Sequence, residues 1–219
     1  MSPLRPFARR KEADRVASVV DSLIDQINHV IKDEAAANYI LLRGFSVYPK
    51  LPTFGEAYGL KAAAVAAYPM YRGVARLVGL KDLDVKDSSI NSEIETLRKH
   101  FNEFDFFYFH IKKTDSYGED GNFDAKARVI EEFDSFIPEI MSLKPDVLVV
   151  TGDHSTPSVM KSHSWHPVPF LLYSSKARAA DIKGFSEREC LRGELGIFRA
   201  VEAMPLILSH AGRLQKFGA

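Results

Sequence analysis

Two segments of this chain run largely apolar rather than alternating, residues 104–111 (FDFFYFHI) and 146–151 (DVLVVT). A strand with one face in water alternates polar and apolar residues, whereas a continuous run has both faces covered. A parallel sheet with helices on each side meets that condition, and the remaining elements predict one. Val16, Val19, Val20, Leu23, Ile24, Ile27, Val30 and Ile31 recur at three- and four-residue steps, so an amphipathic helix is expected over 13–37. Residues 38–42 (NYILL) read as a short buried strand. Residues 61–68 (KAAAVAAY) read as a buried strand or a helix, because alanine serves either. Thr53 is placed to cap a one-turn helix, Pro69 to open a helix through Val78, and Asp87 or Ser88 to cap another reaching Asn102. A glycine-bearing loop at 112–122 leads to a long helix over 124–143. A polar loop at 152–166, a strand at 169–173 and a helix over 194–211 kinked at Pro205 follow. The expected fold is α/β, a parallel-rich doubly wound sheet with helices on both faces.

Composition narrows the function. The 219 residues are 46% hydrophobic and 26% charged, enough to build a sizeable core and too apolar for a disordered chain. Lys plus Arg equal Asp plus Glu at 29 each, so no overall positive field attracts a nucleic acid. No apolar run reaches membrane-spanning length, and Met1 to Arg10 has no apolar core for secretion. The single cysteine, Cys190, fits a reducing compartment and reads as a packed or idle thiol. A cytoplasmic setting without nucleic-acid or membrane partners is expected. GxGxxG, GxxxxGK[ST] and GxSxG are all missing, which leaves dinucleotide, Walker-type and α/β-hydrolase chemistry without local support.

Ligands of a doubly wound sheet bind beyond the carboxyl ends of its strands. The first strong strand ends in HIKKTDSYGEDG, with Asp115, Glu119 and Asp120, and the second in VVTGDHSTP, with Asp153 and His154. A third strand is preceded by HSWHPVP, with His163 and His166. Any one of these residues could be ordinary turn chemistry, and Asp153 could cap the next segment. Their accumulation at one rim favours a divalent metal instead. His29, His100 and His210 lie in helical patterns and His110 in a strand, where they read as packing residues.

These motifs resemble the C-terminal half of the archaeal-type 2,3-bisphosphoglycerate-independent phosphoglycerate mutases, in the alkaline-phosphatase-like superfamily. NYILLRG, GLKAAAVAAYPMYRGVARLVGL, FHIKKTDSYGEDGNFDAK, LVVTGDHSTP, HSWHPVPFLLY, FSERECLRGELG and KFGA carry the resemblance in order. It implies an alkaline-phosphatase-like core over residues 38–219, with 1–37 as the tail of an inserted substrate domain or a linking helix. It also implies interconversion of 3- and 2-phosphoglycerate through a phosphoserine, with two divalent metal ions. Asp115 and His163 would hold one ion, Asp153 and His154 the other. His163 is taken over His166 by its spacing from the Pro that opens PVP, leaving His166 as a supporting residue. Arg43 is the candidate cation for substrate, with Arg72 and Lys112 behind it.

Two departures follow. The family's loop reads DxxGH, where this chain has Asp115-Ser-Tyr-Gly-Glu119; Glu119 can still ligate, and its oxygen favours Mn²⁺ or Mg²⁺ over Zn²⁺ or Co²⁺. No early Asp-Gly follows an apolar strand, and no serine stands in the nucleophile's context. The chain is therefore expected to act with a separate N-terminal half or through self-association. The alternatives are a metal-dependent phosphomonoesterase or phosphonate hydrolase of the same superfamily, or a non-catalytic metal-binding remnant.

Overall fold

The computed structural model describes residues 5–42 and 44–214, which divide into two units, Met1–Lys50 and Leu51–Ala219. In the first unit a single 3-10 turn leads into α1 (Asp14–Ile31), with Val20 and Ile24 buried. Arg5 pairs with Asp21 at 2.9 Å and Asp25 at 2.6 Å. The helix ends six residues before the expected limit of 37, and Ala37 has a left-handed φ of 54°. Residues 38–42 form no strand, contrary to the apolar reading of NYILL. Apolar character alone does not make a strand, which also has to join a hydrogen-bonded ladder.

The second unit opens with α2 (Phe54–Tyr58), where Thr53 and Glu56 cap each other. The Thr53 N–H donates to the Glu56 carboxylate at 2.7 Å, and the Glu56 N–H donates to the Thr53 hydroxyl at 3.2 Å. Next come β1 (Ala62–Ala66), α3 (Pro69–Leu77), β2 (Lys81–Asp82), α4 (Ile90–His100) and β3 (Phe106–His110). The alanine-rich segment is thus a strand. Ser89, one residue beyond the expected cap, accepts from the Ser92 N–H at the head of α4. The strands form a parallel sheet in the order β2-β1-β3, with Ala62 opposite Phe106 and Ala66 opposite His110.

Helices cover both faces of this sheet. Ala62 and Ala64 pack with Ala75 and Leu80 on the α2–α3 side. Ala63 and Val65 point the other way, onto Leu83, Phe104 and Phe107. Beyond them Ile90, Ile94 and Leu97 of α4 meet Val129 and Ile140 of the long α6 (Phe123–Ser142).

Between β3 and α6 lies α5 (Lys113–Glu119), where the glycines suggested only a loop. Gly118 is there for space: a Cβ on it would stand 2.4 Å from the Thr156 carbonyl oxygen. Gly121, with φ at +74°, supplies the left-handed turn that follows.

The remaining strands, β4 (Val147–Thr151) and β5 (Phe170–Ser174), pair antiparallel, with Val147 opposite Ser174. The parallel expectation fails here because the intervening segment carries no crossover helix to return the chain to the same end. Leu148 of β4 joins the α4–α6 core. A one-turn α7 (Glu187–Cys190) and α8 (Ala203–Ala211) complete the described residues. The expected 194–211 helix is shorter because Gly196 is left-handed and Pro205 sits in the first turn of α8, where a missing N–H costs nothing. No helix among the described residues is long and apolar enough to cross a membrane.

Candidate metal centre

Asp115 stands in the first turn of α5, just past the end of β3, and Asp153 and His154 follow β4. His163 lies in the segment before β5. One ligand atom each from Asp115, His154 and His163 falls within 4.8 Å of the others. The His163 Nε2 is 3.6 Å from Asp115 Oδ1 and 3.5 Å from Glu119 Oε1. His154 presents Nδ1 at 3.9 Å from Asp115 Oδ1 and Nε2 at 3.6 Å from Asp153 Oδ2. The two imidazoles stack with centroids 3.9 Å apart.

These gaps are too long for hydrogen bonds. They are close to the roughly 3.4 Å that separates two donors bound to one tetrahedral ion at bonds of about 2.1 Å. Imidazoles and carboxylates without a thiolate form a donor set suited to a divalent cation, so these residues fit a metal.

The surroundings of Asp115 hold it ionised. Burial opposes its charge, but the Lys112 ammonium on Oδ2 and the Thr156 hydroxyl on Oδ1, at 2.6 Å, outweigh that and keep the carboxyl below its usual range. The Thr156 hydroxyl also lies 3.0 Å from His154 Nδ1, and its carbonyl accepts from Lys126 Nζ at 2.7 Å. Thr156 is therefore held at both ends between α5, α6 and the β4 loop, with Gly118 pressed against it. On the far side, the Tyr71 hydroxyl donates to Asp153 Oδ2 at 2.8 Å.

The structure thus gathers Asp115, His154 and His163, with Glu119 and Asp153 beside them. His166 is turned elsewhere: its Nδ1 is 2.9 Å from the Ser164 hydroxyl and its ring stacks on Trp165. Lys112 sits on Asp115 and over the Tyr68 ring. Arg72 is committed to Asp82 at 2.9 Å, in a clamp that Arg76 completes, so it is no free cation for a substrate. Arg43 lies outside the described residues. Sequence reasoning missed Tyr71, Thr156 and His110; Tyr71 meets Asp153 across 82 positions, a distance no local motif spans.

The profile of the metalloenzyme superfamily matches residues 26–210. The chain belongs to this superfamily. Within it, a probable 2,3-bisphosphoglycerate-independent phosphoglycerate mutase of Aquifex aeolicus is 52% identical over 217 residues, covering 99% of this chain and 53% of that protein. A protein of the same description from Thermus thermophilus is 48% identical, covering 100% and 54%. The chain spans about half the length of these curated relatives. A solved Pyrococcus horikoshii protein superposes with a TM-score of 0.84 at 31% identity, covering 95% of this chain and 60% of that one. The cofactor-independent phosphoglycerate mutase of Thermoplasma acidophilum shares the fold, with a TM-score of 0.63 at 23% identity. The parallel sheet flanked by helices is the metalloenzyme superfamily's alkaline-phosphatase-like core, and divalent-metal dependence comes with the superfamily.

Proposed function

We propose that this chain supplies the metal-binding half of a phosphoglycerate mutase, interconverting 3- and 2-phosphoglycerate by phosphoryl transfer through a phosphoserine. The observation that carries the reading is the convergence of Asp115, His154 and His163 within 4.8 Å. Asp115, His163 and Glu119 form one donor group, Asp153 with His154 the other, and the pairwise distances support that division. Bound divalent ions, with Mn²⁺ or Mg²⁺ favoured by the oxygen of Glu119, would lower the pKa of a seryl hydroxyl and neutralise charge on the transferring phosphoryl group.

The chain's own residues do the rest. Lys112 keeps Asp115 charged, and Thr156 orients Asp115 and His154 together. Arg43 is the cation assigned to the substrate's phosphate or carboxylate. The seryl nucleophile is assigned to the half of the relatives that this chain does not span. The setting proposed is cytoplasmic glycolysis or gluconeogenesis.

The test is a count of Mn²⁺ bound by the purified chain, paired with an assay for 2-phosphoglycerate made from 3-phosphoglycerate, with and without an N-terminal half from a relative. Two ions per chain and turnover on adding that half are expected. Phosphate release without 2-phosphoglycerate would replace the mutase by a phosphomonoesterase, and an absence of bound metal would overturn the reading. Asp153→Ala should lose one ion and keep the fold; unchanged stoichiometry would remove Asp153 from the ligands.

A further inference from the structure

Tyr71 and His110 lie outside the proposed ligands, yet Tyr71 meets Asp153 and His110 stacks against Tyr71. His110 ends β3 opposite Ala66 of β1, and Tyr71 sits in the first turn of the helix that follows β1. The two rings stack with centroids 3.6 Å apart and planes at 27°. From that platform the Tyr71 hydroxyl reaches Asp153 Oδ2, while Asp153 Oδ1 accepts from the His154 backbone N–H at 3.1 Å. Both oxygens of the carboxylate are therefore held before any cation arrives.

The stack is unusual in what it tolerates. The His110 Nδ1 is buried without a hydrogen-bond partner among the described residues, so the ring meets Tyr71 through its face rather than through a hydrogen bond. Burial keeps this imidazole neutral, pushing its pKa down, so it serves as a flat uncharged support. Tyr68, with its ring centroid 6.0 Å from that of Tyr71, flanks the same ring.

We propose that Tyr71, braced on His110, is a positioning residue that presets the Asp153 carboxylate for a divalent cation shared with His154. This rests on the metal reading of Asp153 above. A group that orients a metal ligand without touching the metal typically changes affinity by about 10- to 100-fold when lost. A residue that merely tied α3 to the β4 loop would instead change stability and leave affinity alone.

The experiment measures Mn²⁺ affinity by calorimetry, alongside thermal melting, for the full chain and its Tyr71→Phe, His110→Phe and His110→Ala variants. Tyr71→Phe keeps the ring stack and removes only the hydroxyl, and its affinity should fall about tenfold with little change in melting. His110→Phe should keep wild-type affinity because it preserves the platform, while His110→Ala should weaken binding as Tyr71→Phe does. Wild-type affinity in Tyr71→Phe, with Asp153→Ala impaired, would overturn the positioning role alone. Weakening in His110→Phe equal to that in His110→Ala would overturn the brace. A wild-type chain that takes up no Mn²⁺ would overturn the metal reading and this inference together.

Discussion

The two sheets of the larger unit are built to different standards. In the parallel sheet, Ala63, Ala64, Val65 and Ala66 of β1 have no exposed surface at all. In the antiparallel pair, Val147 to Val150 of β4 are only half-buried, Thr151 is exposed, and Tyr173 of β5 is 47% exposed. Asp115 follows β3, half-buried like β4 but paired along its length with the sealed β1, whereas Asp153 follows the open ribbon, so the two arms of the proposed centre stand on unequal foundations. Asp115 has Lys112 on one oxygen and the Thr156 hydroxyl on the other, while the Asp153 side chain is held by the Tyr71 hydroxyl and the His154 backbone N–H.

The contrast can be broken most severely inside β1. Ala64→Leu adds three carbons where helices cover both faces, and a loss of about 3 kcal/mol is expected in urea unfolding, the upper end for overpacked cores. Gly118→Ala should follow at about 2 kcal/mol, because its Cβ would collide with a Thr156 carbonyl that Lys126 holds in place. That variant should also weaken Mn²⁺ binding, which Ala64→Leu should not do while folded; equal metal loss in both would erase the distinction.

Glu93 is the polar exception under the sealed sheet. It is 3% exposed, and burial pushes its carboxyl up to about 7 although the Ala67 N–H, donating at 3.0 Å, works in the opposite direction. A raised folded-state pKa gives stability that is complete below the ordinary value of 4.5 and lost as pH rises through about 7. Glu93→Gln keeps an acceptor for Ala67 and removes the charge, so its melting temperature should vary less across that window than wild type's. A parallel pH profile in the variant would show that Glu93 is not the group responsible. The smallest effect is expected on the ribbon, where Val150→Ala should cost about 1 kcal/mol for two half-buried carbons. A cost matching that of Ala64→Leu would show that the ribbon is as tightly packed as β1.

The same contrast explains what the sequence disclosed. Continuous apolar runs announce strands, so residues 106–110 and 147–151 were legible to within a residue or two, although both strands are only half-buried. Asp115, Asp153 and His154 stood out as candidates because each follows a strand by a few positions, and His163 because it precedes β5. Residues 38–42 misled because an apolar pentapeptide carries no sign of whether a neighbour will pair with it. The reversal of β5 was hidden because direction depends on where a loop returns, which LVVTGDHSTP does not encode. Gly118 read as a loop breaker, while its reason for being small lies on Thr156, 38 positions away. Tyr71 and His110 were misread or passed over for the same reason, since their chemistry exists only once β1, β3 and the β4 loop meet.

The Thr156 hydroxyl has one proton to give and two neighbours to satisfy. Asp115 is ionised and can only accept, so the proton goes to its Oδ1. The hydroxyl oxygen must then accept from His154, which places that imidazole's own hydrogen on Nδ1 and leaves the lone pair on Nε2, the nitrogen that faces Asp153. A single side chain on the loop thus chooses the tautomer of the histidine next to it, and sets the direction in which its electrons are offered.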